Sequence, residues 1–294
     1  MDNTGAGFEH RIQQSITKMP ALPVTVGKVV EIANKQGTSP VDLNKVVSMD
    51  PVLTARLLRL VNSAYYGLST KVTTLVRAII MLGVNTVKNL ALSAAVLDNL
   101  GKAEHFDALE MQGFWRHCLG VGAAGKLIAQ KIGVPPEAVE EYFIAGILHD
   151  IGKIPLNSVA ADVYIESMML ADRGRMPLYK AERSGIGMDH LQVGELIARN
   201  WNITENLIDA IVWHHDPLGY TGVHTRLVFV VATANYFVNI AELGYAGDRY
   251  PEKLPDEVYK TLGITADYLD DIEDAIAEQI TKAEVFLRVT KDTA

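Results

Sequence analysis

Five of the eight histidines in this 294-residue chain, with one aspartate and one lysine, have the types and spacing to build a shared chemical centre. His149 and Asp150 are adjacent, Lys153 follows one helical turn later, His214 and His215 form a second adjacent pair, and His117 and His190 stand apart. Imidazole nitrogens with a carboxylate are the donors that mid-series transition metals prefer, and helices facing one cavity can assemble a mono- or dinuclear centre from them. The expectation is a metal site of His117, His149, Asp150, His190, His214 and His215. Iron or manganese suits it better than magnesium, which prefers oxygen ligands and keeps its waters. Taken singly, His149 and His214 also fit the C-terminal ends of apolar helices, where the dipole attracts a histidine. Two adjacent pairs at two such ends favour the metal.

Helices must position these residues, because apolar residues recur at three and four spacing and no sustained alternation with Asn-Gly or Asp-Gly turns marks a hairpin. Ser39, Pro40 and Asp42 read as cap, first-turn proline and acidic N3, and Asp50 with Pro51 opens the next helix in the same way. Further helices are expected over Thr74 to Leu82 and Val84 to Leu97, with Gly83 as the turn and the polar stretch Asp98 to Glu104 as a connector. Beyond it the spacing predicts helices over Asp107 to Lys131, Pro135 to His149, Val159 to Arg173, His190 to Trp201, Thr204 to His214 and Leu227 to Ile240. A last helix, Thr265 to Thr290, should dock by Leu269, Ile272, Ile276, Ile280 and Leu287. The simplest organisation is an all-α, two-lobed helical bundle, with an N-terminal lobe over residues 1–104 and a second lobe with the C-terminal helix over 105–294.

Composition narrows the setting. With 49% hydrophobic and 21% charged residues the chain can bury a large core. A formal net charge of -8 gives no footprint for duplex DNA or an anionic membrane, so neither nucleic acid nor membrane is expected as a partner. The single cysteine, Cys118, cannot form an internal disulfide, and the first residues lack a secretory pattern, which fits the cytoplasm. The most apolar run, Leu227 to Ala241, is shorter than the ~20 residues of a membrane helix. Cys118 adjoins His117, but neighbouring helical residues point about 100 degrees apart, so it reads as a core residue and not as a nucleophile. Arg173, Arg175 and Arg183 read as a solvated face before an anion pocket.

The segment His149-Asp150-Ile151-Gly152-Lys153 resembles the HD signature of metal-dependent phosphohydrolases, and its surroundings resemble the HD-GYP branch of cyclic di-GMP phosphodiesterases. On that resemblance His117 matches the first ligand, His149 and Asp150 the HD pair, His190 the next, His214 and His215 the adjacent pair, and Lys153 a phosphate-facing lysine. The passage Asp50-Pro51 through Leu60-Val61-Asn62-Ser63-Ala64-Tyr65-Tyr66-Gly67, then Ala78-Ile79-Ile80-Met81-Leu82-Gly83, closely resembles the opening of HDOD domains, as do Trp115-Arg116-His117 and Trp213-His214-His215. The resemblance runs from about Met19 to at least Asn239. It implies an HD-like helical second lobe.

Departures from the family pattern shape the functional expectation. Asn235 stands where active HD enzymes place a late metal-binding aspartate, and Gly113 where HD-GYP enzymes carry a glutamate. Gly219 and Tyr220 are followed by Thr221 and read as a turn, not as a GYP substrate loop. HDOD proteins are associated with bacterial signal transduction. The resemblance therefore implies a bacterial signal-transduction regulator that contacts other signalling proteins, with a His-rich metal site and no strong catalysis. The alternative is a metal-dependent phosphohydrolase or phosphodiesterase, with a nucleotide or cyclic dinucleotide as ligand and Lys153 neutralising the phosphoryl charge. A third reading is iron-dependent oxidation, which some HD-fold proteins perform at histidine-rich sites.

Overall fold

The computed structural model describes residues 5–100 and 108–291, and among the described residues it contains helices and turns with no strand. The N-terminal helices are α1 (Gly5–Lys18), α2 (Val24–Ala33), α3 (Pro40–Val47), α4 (Pro51–Val61), α5 (Leu75–Leu82) and α6 (Val84–Leu100). Then come α7 (Met111–Lys131), α8 (Pro136–Leu148), α9 (Lys153–Val159), α10 (Ala161–Gly174), α11 (Leu178–Ile186), α12 (His190–Asn200) and α13 (Glu205–Trp213). The chain closes with α14 (Thr225–Ile240), α15 (Asp256–Leu262), α16 (Ala266–Asp271), α17 (Glu273–Ala283) and α18 (Val285–Lys291).

Local chemistry sets the early boundaries. Ser39 and Asp42 form a reciprocal capping box on α3, and the Asp50 carboxylate accepts from the Leu53 amide at 2.9 Å to open α4. Caps of this kind are worth about 1 kcal/mol each. Gly83, at φ 88°, bends α5 into α6 by 116°. No single helix among the described residues is long and apolar enough to cross a membrane.

Three boundaries differ from the sequence expectation. The connector expected from Asp98 begins later, because α6 continues through Leu100, whose side chain is buried with that of Leu97; residues 101–104 lie outside the described residues. Asp107 is also outside them, and α7 starts at Met111, where the Glu110 carboxylate accepts from the Gly113 amide at 3.0 Å. The helix expected from Thr265 to Thr290 is three helices, broken at Ile272 and Glu284. The breaks let α17 pack on α7 while α18 turns onto α4 and α6, where Phe286 meets the rings of Tyr65 and Phe143, each at 5.2 Å. Helices α1, α2, α9, α11 and α15 had no counterpart in the sequence expectation.

Helices α2 to α6 pack on one another, and α7, α8 and α14 form a central layer against which α13, α15 and α17 pack. Both chain ends cross between the groups: α1 packs on α9, α11 and α12, and α18 on α4 and α6. A polar network also joins them. Lys126 on α7 donates to the Tyr65 hydroxyl at 3.0 Å and to Glu140 at 3.1 Å, and the Tyr66 hydroxyl donates to Glu140 at 2.8 Å.

Two close backbone approaches decide where the site residues fall. Gly122 and Gly146 let α7 and α8 touch main chain to main chain; a Cβ on Gly122 would lie 2.7 Å from the Phe143 carbonyl oxygen. That contact brings His117 beside His149. Gly152 sits against the His190 carbonyl, so a Cβ there would collide with the first turn of α12. The close seat of α9 on α12 brings Asp150 beside His190.

Candidate metal centre

Helices α7, α8, α12 and α13 bring the six expected ligands together, the five histidines clustered about Asp150. His117 lies in the second turn of α7, His149 and Asp150 follow α8, His190 opens α12, and His214 and His215 follow α13. Asp150 divides the cluster in two. Its Oδ2 lies 3.2 Å from His149 Nε2 and 3.6 Å from His117 Nε2; its Oδ1 lies 3.4 Å from His190 Nε2 and 3.8 Å from His214 Nε2. Two triads have donor atoms within 4.8 Å of one another, one of His117, His149 and Asp150, the other of His190, His214 and His215. All are buried except His215, which is half-buried and stacks on the Tyr179 ring at 4.8 Å.

Hydrogen-bond partners fix the tautomers of three histidines. His149 Nδ1 donates to the Gly146 carbonyl at 2.7 Å, His214 Nδ1 to the Ile211 carbonyl at 2.9 Å, and His190 Nδ1 to the Glu182 carboxylate at 2.6 Å. Those oxygens can only accept, so in the neutral rings each Nε2 presents a bare lone pair. The His190 and His214 lone pairs face Asp150 Oδ1, an arrangement that repels unless a proton or a metal cation lies between. A ring nitrogen held by a carbonyl or carboxylate while the other faces inward is the arrangement of metal-bound histidine. The nitrogens His190 Nε2, His214 Nε2 and His215 Nε2 and the oxygen Asp150 Oδ1 are buried without a hydrogen-bond partner among the described residues. The residues present fit a metal ion.

The electrostatics point the same way. Burial, aided by neighbouring histidines, pushes His214 and His215 well below the usual imidazole range, and burial brings His117 down to about 3. All three are therefore neutral at neutral pH, the form that binds metal. Burial would raise the Asp150 carboxyl, but the His149 ring and the Lys153 ammonium beside it hold it well below the usual range. Burial would lower His190 and is overcome by Glu182, which raises it.

Lys153 lies on the inner side of this cluster. Its Nζ donates to Asp150 Oδ2 at 2.8 Å and to the Ala246 carbonyl at 3.0 Å, and the side chain is 2% exposed. Glu182, which sequence reasoning missed, also accepts from the His190 amide at 2.9 Å and from the Tyr164 hydroxyl at 3.0 Å. Its signal was present: Glu182 sits four residues from both Leu178 and Ile186, a carboxylate inside the buried stripe of α11. Asp248 is a second missed carboxylate, buried with Oδ2 unpartnered among the described residues and its pKa raised by burial.

The remaining candidates separate cleanly. Arg173 and Arg175 are exposed, as expected for a solvated face, whereas Arg183 is tied to Asp189 and lines a cavity of about 440 Å³ that also reaches His215, Lys180 and Trp213. Cys118 is fully buried, and burial raises its thiol, which stays protonated. Asn235 interacts with His117, but its Oδ1 accepts from the Asn239 amide at 2.8 Å. Pro217–Gly219 form a short 3-10 turn capped by Asp216, and the Tyr220 hydroxyl donates to Asp209 at 2.7 Å.

Comparison with known proteins agrees with this architecture. A family model for the HDOD domain matches residues 19–217. The chain belongs to the HDOD family. Among solved structures, an HDOD domain protein of unknown function from Geobacter sulfurreducens is 23% identical with a TM-score of 0.73, covering 94% of this chain and 97% of that one. A candidate phosphohydrolase from Shewanella amazonensis SB2B is 25% identical with a TM-score of 0.67, covering 97% and 98%. A candidate signal transduction protein from Marinobacter aquaeolei VT8 is 19% identical with a TM-score of 0.73, covering 99% of this HDOD chain and 67% of its own. An uncharacterized protein of Treponema pallidum (strain Nichols) is 22% identical over 244 residues, 83% of this chain and 46% of that protein, so the chain spans about half the length of that curated relative.

Proposed function

We propose that this HDOD chain is a bacterial, cytoplasmic signal-transduction regulator that works through contacts with other signalling proteins, its histidine cluster holding a transition metal without strong catalysis. The observation that carries the metal is the set of imidazole lone pairs aimed at Asp150, each fixed by a partner on the far ring nitrogen. A nitrogen-rich donor set supports iron or manganese over magnesium. Bound there, such an ion would supply cross-linking of the helices that carry its ligands and Lewis acidity at the cluster.

Two features support regulation ahead of catalysis. Lys153 spends its ammonium on Asp150 and the Ala246 carbonyl, which supports a role in balancing charge inside the protein over one in facing a phosphoryl group. Val41, Met49, Val52 and Ile80 are each more than half exposed on or beside α3, α4 and α5, which pack on one another. Apolar side chains presented to solvent in this way suit a partner surface.

A second reading keeps one specific support. The cavity at His215 is lined by Lys180, Arg183 and Lys253, cations suited to a phosphoester, and a Shewanella relative is named a candidate phosphohydrolase. In that reading the substrate is a nucleotide or cyclic dinucleotide. The test is hydrolysis of a phosphodiester and cyclic dinucleotide panel by the iron- or manganese-loaded chain. Release at the level of buffer alone is expected. Turnover that follows added metal and disappears in His214→Ala would overturn the regulatory reading in favour of the phosphohydrolase.

A further inference from the structure

We infer that the centre is mononuclear: a single divalent ion sits between Asp150 Oδ1 and the nitrogens of His190, His214 and His215, while the Lys153 ammonium serves as the resident cation of the His117–His149 side. The inference rests on the metal reading above and adds which half of the cluster the ion occupies.

The two triads look alike in spacing and differ in satisfaction. On one side, Asp150 Oδ1 and the Nε2 atoms of His190, His214 and His215 are all buried without partners among the described residues. Three histidine donors within 4.8 Å of one another, with Asp150 Oδ1 beside two of them, would be costly to leave unmatched. The Oδ1 distances of 3.4 and 3.8 Å to His190 and His214 need little contraction, because ligands about 2.1 Å from a common ion stand roughly 3.0–3.4 Å apart. His190 and His214 are also locked from behind by Glu182 and the Ile211 carbonyl.

On the other side the donors already have work. Asp150 Oδ2 accepts from Lys153 at 2.8 Å. His117 Nε2 lies 3.4 Å from His149 Nε2, so an N–H on His117 can satisfy the bare His149 nitrogen. His117 Nδ1 has no hydrogen-bond partner among the described residues, so that ring lacks the carbonyl or carboxylate behind it that His190 and His214 have. Asn235, which interacts with His117, accepts from Asn239 at its Oδ1.

A second cation on the Oδ2 side would stand directly against the Lys153 ammonium, which already lies 2.8 Å from that oxygen. The occupied half also adjoins the cavity at His215, so a further ligand of the ion can arrive from solvent without opening the fold.

The experiment loads the full chain anaerobically with excess Co(II), removes free ion, counts metal by mass spectrometry and locates it in crystals by anomalous scattering at the cobalt edge. One ion per chain beside His190, His214 and His215 is expected. His214→Ala should lose it, with the cobalt ligand-field absorption, and His117→Ala should retain it, circular dichroism confirming that each variant folds. Lys153→Gln should raise uptake towards two, since Oδ2 becomes available. Two ions in the unmodified chain, or one ion beside His117 and His149, would overturn the assignment while leaving the metal reading intact. No bound ion would remove both, and unchanged uptake in Lys153→Gln would overturn the role given to the lysine. The crystallographic location in the unmodified chain stands even if a variant fails to fold.

Discussion

Removing the metal should leave a protein that is acid-labile in a defined window. Burial holds His117 at about 3 and His214 and His215 well below the ordinary imidazole value, with neighbouring histidines adding to the effect at the last two. Between those depressed folded values and the ordinary value of about 6.5, the unfolded chain binds protons that the folded chain does not. Stability therefore falls as pH falls through that window. Each such histidine contributes at most ~1.4 kcal/mol per pH unit, so three give an upper bound of ~4 per unit, or ~6 kcal/mol between pH 6 and 4.5. His190 has the opposite sign, because Glu182 raises it against its burial: its contribution is complete below the unfolded pKa and is lost as pH rises through the folded one. It adds no slope below about 6.5. Asp150, held low by His149 and Lys153 against its burial, gives up its contribution only below the ordinary carboxylate value of about 3.9. Against a typical domain stability of roughly 5–15 kcal/mol, the loss is decisive. Urea unfolding of the chelated protein, followed by circular dichroism in half-unit pH steps, should show the midpoint dropping steeply below pH 6. A midpoint that stays level from pH 6.5 to 5 would refute the reasoning, since it would mean that the three rings protonate as freely in the fold as outside it.

Other changes test how the site is held. Gly146→Ala should cost about 1–3 kcal/mol and weaken metal binding, because the added methyl must push α8 off Gly122; denaturation and metal titration read the two effects. Glu182→Gln keeps an acceptor for His190 but removes the charge, so metal affinity should fall roughly 10–100-fold in competition titrations while the helical circular dichroism is unchanged. Lys126→Met leaves Glu140 buried without its cation and should cost roughly 3 kcal/mol, the lower end for a broken buried pair because Lys126 is 20% exposed. The double variant with Glu140→Gln should recover most of that loss in urea unfolding.

The helical fold was legible because its main signals are local. The Ser39 and Asp50 caps, the Gly83 turn and the apolar stripes of α4, α8, α12 and α14 lie within single elements, and the structure keeps them. The expected ligands were also legible by type, and the structure brings all six together. What the sequence hid depends on packing between distant segments. Glu182 reaches His190 only because α11 folds back on α12, and the breaks at Ile272 and Glu284 exist because the last helices must follow α7 and then turn towards Tyr65. Lys153 was expected to face a phosphate, and its carbonyl partner, Ala246, comes from a loop almost a hundred residues away. No periodicity within α9 could reveal that partner.

The position of the Tyr65-Tyr66 motif follows from the same packing. Its hydroxyls meet Lys126 on α7 and Glu140 near the start of α8, while His117 lies earlier on α7 and His149 follows the end of α8. At a rise of ~1.5 Å per residue, Glu140 and His149 are about 13 Å apart along one helix. The Gly122–Gly146 contact then clamps α7 to α8 between the two sites, leaving no side-chain layer there to absorb a shift. A rotation of α8 that loosened Tyr66 from Glu140 would therefore also turn His149, and with it the neighbouring Asp150, relative to His190 and His214. A metal ion held between those helices would resist the same rotation. The N-terminal motif and the histidine cluster are thus mechanically joined through one rigid helix pair.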